Sequence, residues 1–515
     1  MRAKINHPSC VGTGSDTATQ RSIFDNHYPR RHGAGKYHFV ILLHKHVSVN
    51  RLNREAICHV RRADTENKQA VRRDAVSPWL FKFQFPEGSV TKSNPLRLHG
   101  GSLFYALVIS ILIAMLTCSV LLAEHFSRLS IRRDMVNEEL VRNVESGIAL
   151  LCGAENDFTE EQDVDLFGRG KDSVLLQRKT WGAFDVCIAR AHSGNQFNVR
   201  IALVGNKPDP ADAFALWLAD MDRPLSVTGN TQLRGRCYLP RSGVERAYIE
   251  GSSYCGTQLV YGPVENSERF IPPCNTLRVN EVEKLFACIA TEGDSVISLE
   301  TLQSFDSVSY SFCGKPLIVS EQRPIRISRQ FLSGQICIIS SVSIFIEKTV
   351  HLQNIILVAP RIEIEAHTEG QFQAIARDSL IVGKEILLRY PTVLALCTGK
   401  TSPEFSVLLI DEQTEITGDI FAYTTGDDFR KHATVSIGKD VQVHGSVYSS
   451  DLIDLKGTVL GSVTCSKFVL KTNSAVYENY LMNAAIDRSK CPVHFVGSLL
   501  CAQKNGIKSV VQWLE

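Results

Sequence analysis

The chain has 515 residues and a net charge of +2, with 44% of its residues apolar and 21% charged, enough for two or three domains and a sizeable buried core. The near-neutral total conceals a split: residues 1–100 carry 17 Lys and Arg against 7 Asp and Glu, and the other 415 carry 39 against 47. That asymmetry excludes a uniformly charged cytosolic enzyme and a wholly basic nucleic-acid binder, so no nucleic-acid partner is expected.

Residues 1–95 read as a basic, disordered leader. Its first ninety residues show no sustained apolar period and scatter Pro, Arg, His and Asn throughout. A translation start near Val90 would leave TKSNPLRLHGG as an ordinary flank, so no function is assigned to this stretch.

Residues 96–152 are predicted to hold a transmembrane helix and its extension. Ser102 to Ala123 is a run of 22 residues without a charge, SLFYALVISILIAMLTCSVLLA. At about 1.5 Å per residue it is long enough for a hydrocarbon core of about 30 Å, and it is longer than the apolar run of a secretory signal. Leu129, Arg133, Val136, Leu140, Val144 and Ile148 continue a helical period to about Leu151. Lys82, Lys92 and Arg97 flank one end of the span and Arg128, Arg132, Arg133 and Arg142 the other, so adjacent charge does not orient it. The long basic leader places the N-terminus in the cytoplasm. The expectation is a single-pass inner-membrane protein, touching lipid through 102–123, with its bulk periplasmic or extracellular.

A short basic stretch, Gly101-Ser102, the apolar helix and an amphipathic extension ending in NVESGIALL resemble the N-terminal region of minor pilins and pseudopilins over about 50 residues. The resemblance implies cleavage after Gly101, leaving Ser102 as the mature start, and pilin-like or envelope proteins as partners. One departure is that the family usually carries Glu at the fifth mature position, where this chain has Ala106.

Residues 153–222 read as a small α+β region. SVLLQRKTWGAFDVCIARA and FNVRIALVGN alternate like antiparallel strands, and ADAFALWLADM reads as a helix.

Residues 223–472 are the periodic part, expected to form a parallel β-helix, a solenoid of 16–19 residues per coil with inserts. Written in blocks of 18, residues 343–396 align Ile344 with Ile362 and Leu380, and Ile346 with Ile364 and Val382. The same blocks align Leu357 with Ile375 and Val393, and Val358 with Ala376 and Leu394; one block upstream, at a spacing of 19, Ile325 and Ile327 fall over Ile344 and Ile346. One coil cannot bury its inward side chains alone, whereas coils stacked at about 4.8 Å pair every backbone group and build a continuous core. An ordinary antiparallel sandwich is the alternative.

The pattern returns as Gly418-Asp-Ile420, Gly445-Ser-Val447 and Gly461-Ser-Val463. This later segment, about Thr434 to Lys471, resembles bactofilins, polymer-forming β-helical proteins of the bacterial envelope. TTGDDFRKHA reads as a loop leaving a coil and VNEVEKLFACIA (279–290) as a short helix. Cys237 and Cys255 lie 18 apart, one coil, and are expected to stack as two core thiols, with a disulfide as the alternative. Residues 473–515 are expected to cover the solenoid's end.

The search for chemistry gives little. HExxH, CxxC, GxSxG and Walker A motifs are missing, GRGKDS reads as a turn, and the seven His after residue 100 are dispersed, so neither metal nor cofactor is expected. Stacking would set Glu347 and Glu365 side by side with Glu363 near, a carboxylate ladder of the kind that glycosidases and calcium sites use; the plainer reading is a solvated face. Twelve of the 15 Cys follow the span, too evenly spread for a disulfide scaffold, and Cys337 and Cys465 are expected to pack as small apolar residues. The function expected is non-enzymatic: a membrane-anchored envelope protein, structural or pilin-like, in a secretion or surface assembly. The alternatives are a polysaccharide-binding or -cleaving β-helix protein and a bactofilin-like polymer-forming scaffold.

Overall fold

The computed structural model describes residues 100–153, 158–168, 173–287, 295–399, 402–425, 430–501 and 507–514. The leader, Asp427 and Asp428, most of GRGKDS and residues 288–290 lie outside the described residues. The described chain is mainly β, with one long helix at its start.

That helix, α1, spans Gly100–Gly153. No Gly or Pro interrupts it between Gly101 and Gly147, and its apolar part is rich in strong helix formers. Of the periodic residues, only those from Leu140 onward are fully buried: Leu140, Val144, Ile148 and Leu151 are at most 2% exposed. They lie on one face of an antiparallel sheet, against Val174, Leu176, Cys187, Ala189, Ala191, Ala202 and Val204. The alanines keep that face shallow, and Gly147 lets the helix come close. A Cβ at Gly147 would stand 2.7 Å from Leu176 Cδ2 and 3.3 Å from Ala189 Cβ.

The sheet is built from β1 (Gln162–Val164), β2 (Val174–Trp181), β3 (Phe184–Ser193) and β4 (Gln196–Lys207), with the C-terminal strand Ile507–Leu514 pairing antiparallel to β4 at the edge. The alternation read from the sequence is present here. β2 turns into β3 through Gly182-Ala183, where Gly182 has φ +60°. The helix expected over ADAFALWLADM is instead the strand Leu216–Leu218. Leu216 and Leu218 pair in parallel with Val463 and Cys465, while Trp217 on the other face lies 4.1 Å, ring to ring, from Tyr238. Parallel pairing with a distant strand overrides the local helical preference.

Most of the remaining strands close into one wall of mostly parallel pairs around a single apolar core, while Tyr248–Ile249 with Ser252–Ser253, and Leu225–Thr228 with Val244–Arg246 and Tyr480–Met482, form two small sheets of their own. The first columns read from the sequence hold: Ile325, Ile344, Ile362 and Leu380 are successive partners, as are Ile327, Ile346, Ile364 and Val382. The second set is displaced by one residue, with Leu357 opposite Ala374 and then Leu394, and Val358 opposite Ile375 and then Ala395. Asn354 causes the first slip, because it takes φ +59° and is skipped in the ladder; two extra residues near 389–392 cause the second. A slip of one exchanges the faces, so the inward set is Leu357, Ala374 and Leu394. The Gly-x-Val columns also hold, Ile420 over Val447 over Val463. A Cβ at Gly418, Gly445 or Gly461 would fall within 1.8–1.9 Å of a carbonyl oxygen of the neighbouring strand, so no larger residue fits this column.

Chain order and stacking order differ. The stretch 216–266 does not precede the long repeat in space but extends it past residue 465, through pairs of Val463–Cys465 with Leu216–Leu218, of Leu216 with Cys237 and of Cys237 with Val264. Cys255 is exposed while Cys237 is buried, so the two do not stack as expected. The short helix is found at Thr276–Lys284, continued by a 3-10 turn at Leu285–Ala287.

Both ends of the core are covered. Leu299 and Leu302, from the short helix Leu299–Gln303, are buried in it beside half-buried Phe305. At the far end, half-buried Tyr254, Leu259 and Val260 pack against it.

The antiparallel sheet presents its second face, Phe184, Val186, Ile188, Ile201 and Leu203, to the outside of the wall at Ile356, Val358, Ile375, Val393 and Ala395. This explains the unbroken apolar runs IILVA and TVLAL, whose strands are buried on both faces.

Candidate functional site

Gly101 and Ser102 lie in the first turn of α1. A Cβ on Gly101 would meet nothing within 4 Å, and the residues that follow are open, with Leu103 76% exposed. None of the most apolar stretch of the helix is buried in the protein.

The three carboxylates are not gathered into one acidic site. Glu347 accepts from Arg326 Nε at 2.5 Å. Glu363 Oε2 lies 3.5 Å from an Arg361 guanidinium nitrogen. Glu365 accepts the backbone N–H of Lys348 at 3.0 Å, which closes the turn after Glu347. Along the ladder Glu363 stands between Phe345 and Ile381, not beside another carboxylate. Arg326 also covers the Phe345 ring at 4.8 Å. Arg326, Phe345, Arg361 and Glu363 border a depression of about 420 Å³, where each arginine already has its carboxylate partner. Among the described residues, no group of three or more His, Cys, Asp or Glu is placed to hold a metal ion.

Buried polar groups fasten the layers together. Gln373, 4% exposed on the wall, accepts the Ala183 N–H at 2.7 Å and donates to the Trp181 carbonyl at 3.1 Å, gripping the β2–β3 turn. Asp419, which follows Gly418, accepts N–H groups from Ser446 and Ser498 and so ties the returning C-terminal segment to the wall. Burial raises its carboxyl above the ordinary value, opposed by those N–H bonds. Asp185 is buried with Arg278 and with Lys508 Nζ at 3.0 Å, joining β3, the short helix and the C-terminal strand. His432 Nδ1 meets Asp451 at 2.6 Å, and burial raises that carboxyl against the pull of His432.

A second cavity, about 460 Å³, opens where the C-terminal strand runs beside the wall. Ser309, Ser333 and Gln353 are successive ladder partners on the outer face, and Tyr310, Ser311, Phe312, Asn354 and Gln512 add to the polar and aromatic lining; Trp513 borders it too, but stands opposite Ala202, on the α1 side of the sheet. Gln371 bonds Asn354 Oδ1 at 2.7 Å and Gln512 Oε1 at 2.6 Å, fixing both amides. Trp513 remains 47% exposed, with the Arg200 guanidinium 5.8 Å from its ring centroid. No Asp, Glu, Lys, Arg or His is among the described residues that line this cavity. Sequence reading missed it because the ladder steps are 24 and 20 residues, outside the regular 18, and because Trp513 arrives from the far end of the chain.

No protein-family model matches the chain and no curated protein does. Among solved structures it is similar to the competence-associated pilin ComZ from Thermus thermophilus at 11% identity, over 70% of this chain and 87% of that one, with a TM-score of 0.22. A likeness that low carries no argument about this chain.

Proposed function

We propose that the protein is a membrane-anchored, non-catalytic envelope subunit of pilin-like kind. In this reading α1 crosses the lipid at 102–123, the N-terminus is cytoplasmic, the β-rich bulk lies outside the cytoplasm, and its partners are other subunits of a surface assembly. One observation carries the reading: a single helix leaves its charge-free part without cover in the protein, then lays its next turns on an antiparallel sheet. An exposed apolar surface of that size is stable only in lipid or against a partner.

The closed parallel wall fits a parallel β-helix. In favour are parallel partners offset by 18 residues from Ile344 to Ile362 to Leu380, then by 28, 27 and 18 on to Leu408, Val435 and Ile453. Covered ends suit a rigid module carried by one subunit rather than a rod that grows end to end.

The test is the N-terminal sequence of the protein purified from its own membranes. A start at Ser102 is the expected result. An uncut chain in the membrane would overturn the pilin-like part and leave a static anchor.

A further inference from the structure

We propose that Cys274 and Cys501 form a disulfide when the protein meets an oxidising compartment, stapling the start of the short helix Thr276–Lys284 to the returning C-terminal segment. The two residues lie 227 apart in the chain, and the fold sets them directly opposite each other as an isolated antiparallel pair. The hydrogen bonding identifies the kind of pair. Asn275 donates its N–H to the Leu500 carbonyl at 2.8 Å, so the ladder bonds run between the neighbours and Cys274 faces Cys501 at a non-hydrogen-bonded position. At such a position the Cα atoms stand about 4.5 Å apart and both side chains leave the same face of the ladder. That separation falls within the range of about 4.4–6.8 Å that a disulfide spans. Both residues are thiols in the structure, and rotation about their Cα–Cβ bonds closes the pair with the backbone where it stands. Among the described residues no other cysteine has a cysteine as its ladder partner. Cys237 faces Leu216 and Val264, Cys337 faces Ile318 and Ile356, Cys397 faces Tyr423, and Cys465 faces Ser449 and Leu218.

The backbone is held on both sides of the pair. Asn275 caps the helix, its side chain accepting the Arg278 N–H. Across from it, Asn206 Nδ2 donates to the Cys501 carbonyl at 3.3 Å, and Gly497 pairs with Asn206. Cys274 and Cys501 both belong to the apolar cluster between the sheet and the wall. Burial raises the Cys274 thiol to about 11 and the Cys501 thiol further, and apart from one another the side chains that act on them most are Tyr423, Tyr448 and Asp419, none of them a cation. Neither sulfur is thus activated as a nucleophile in the folded protein, so the bond forms while the chain folds and both thiols are still open to solvent. One thiolate attacks a disulfide oxidant, oxidised glutathione or the disulfide of an oxidoreductase, and expels a thiolate from it. The second attacks the mixed disulfide and expels the other. Two protons and two electrons leave the pair, and the oxidant becomes two thiols. The inference rests on the proposed function only for the compartment: an exported β part meets such an oxidant and a cytoplasmic one does not.

The test maps the thiols of the full-length protein from two sources. In the first, the protein is purified from its own membranes with N-ethylmaleimide present from lysis, denatured in it, and digested with trypsin without reductant. Mass spectrometry is expected to find peptide 270–278 joined to peptide 491–504 through Cys501, with Cys491 carrying the label. In the second, the full chain is synthesised in a cell-free system with detergent and a glutathione redox buffer, where compartment plays no part, and the same link is expected. Dithiothreitol should lower the thermal transition of the linked protein by about 4–12 °C, because the bond closes a long loop. The same reductant should leave the transition of a Cys274→Ala, Cys501→Ala double variant in place, which a merely packed pair of thiols would not distinguish. A link in the redox buffer with free thiols in the membranes would uphold the pair and overturn the exported placement of the β part. Free Cys274 and Cys501 in the redox buffer, in protein that shows its thermal transition, would overturn the proposal whatever the compartment. A link from either residue to Cys397 or Cys491 instead would overturn it equally.

Discussion

The two halves of α1 share one backbone geometry and have opposite surroundings. Leu103, Phe104, Leu116 and Leu121 are each more than 60% exposed, whereas Leu140, Val144, Ile148 and Leu151 are at most 2% exposed. The first half is apolar on every side and charge-free; the second is apolar along one stripe and charged on the other. A stripe calls for one packed face, and the sheet supplies it; apolarity all round calls for an apolar medium. The comparison shows that one helix carries two surface patterns, of which only the striped one finds its cover within the described residues.

Substitutions in each half should therefore register in different assays. The largest effect is expected from Val144→Asp, which buries a charge with no partner and costs on the order of 4 kcal/mol. Thermal unfolding in detergent should show the transition lowered or lost, while the chain still pellets with membranes. Ile113→Arg should do the reverse. With an insertion cost of about 2.5–3.5 kcal/mol at the helix centre, it should shift the protein out of the alkali-washed membrane fraction without moving the transition of the β part. If it moved that transition instead, α1 would be an ordinary packed helix throughout.

Smaller effects probe the far face of the sheet on which α1 rests. Gln373→Leu leaves the Ala183 N–H and the Trp181 carbonyl without their buried partner, a loss of about 1–3 kcal/mol that urea unfolding would measure. The smallest is a pH effect at Asp419. Its folded carboxyl is raised by burial, so between the ordinary carboxyl value of about 4 and the raised one the folded state holds more protons than the unfolded. Its contribution is present at low pH and lost as pH rises through that window. Asp419→Asn should flatten this dependence in melting curves taken from acid to neutral pH; an unchanged profile would mean that another group titrates.

Much of this was legible in the sequence, for reasons that differ by element. The long apolar helix needed only composition and period. The columns Ile344–Ile362–Leu380 and Ile346–Ile364–Val382 were legible because offset and alternation agree over a stretch without bulges. Leu357 was misplaced by one because a lone left-handed residue, Asn354, lengthens a strand without disturbing its apolar pattern. Leu216–Leu218 was read as helix because a short apolar run fits either period, and one of its two partner strands, Val463–Cys465, lies about 250 residues away. The return of Ile507–Leu514 to the edge of the sheet is equally non-local, and with it went Trp513 and the cavity. The arginine and backbone partners of Glu347, Glu363 and Glu365 follow from side-chain positions that spacing does not encode.

The most direct test uses thiols that the chain already carries. Cys118, in the apolar half of α1, and Cys255, in the β part, are both exposed in the protein, whereas Cys187, Cys237, Cys397 and Cys465 are buried. Burial also raises the Cys187 and Cys237 thiols to about 12, so they stay unreactive near neutral pH. Intact membranes opened to both sides would be treated with a water-soluble maleimide, and labelled positions read by peptide mass spectrometry. The account predicts that Cys255 is labelled and Cys118 is protected until the protein is extracted and denatured, because the proposed anchor places Cys118 in lipid. Equal labelling of Cys118 and Cys255 in the membrane preparation would contradict it.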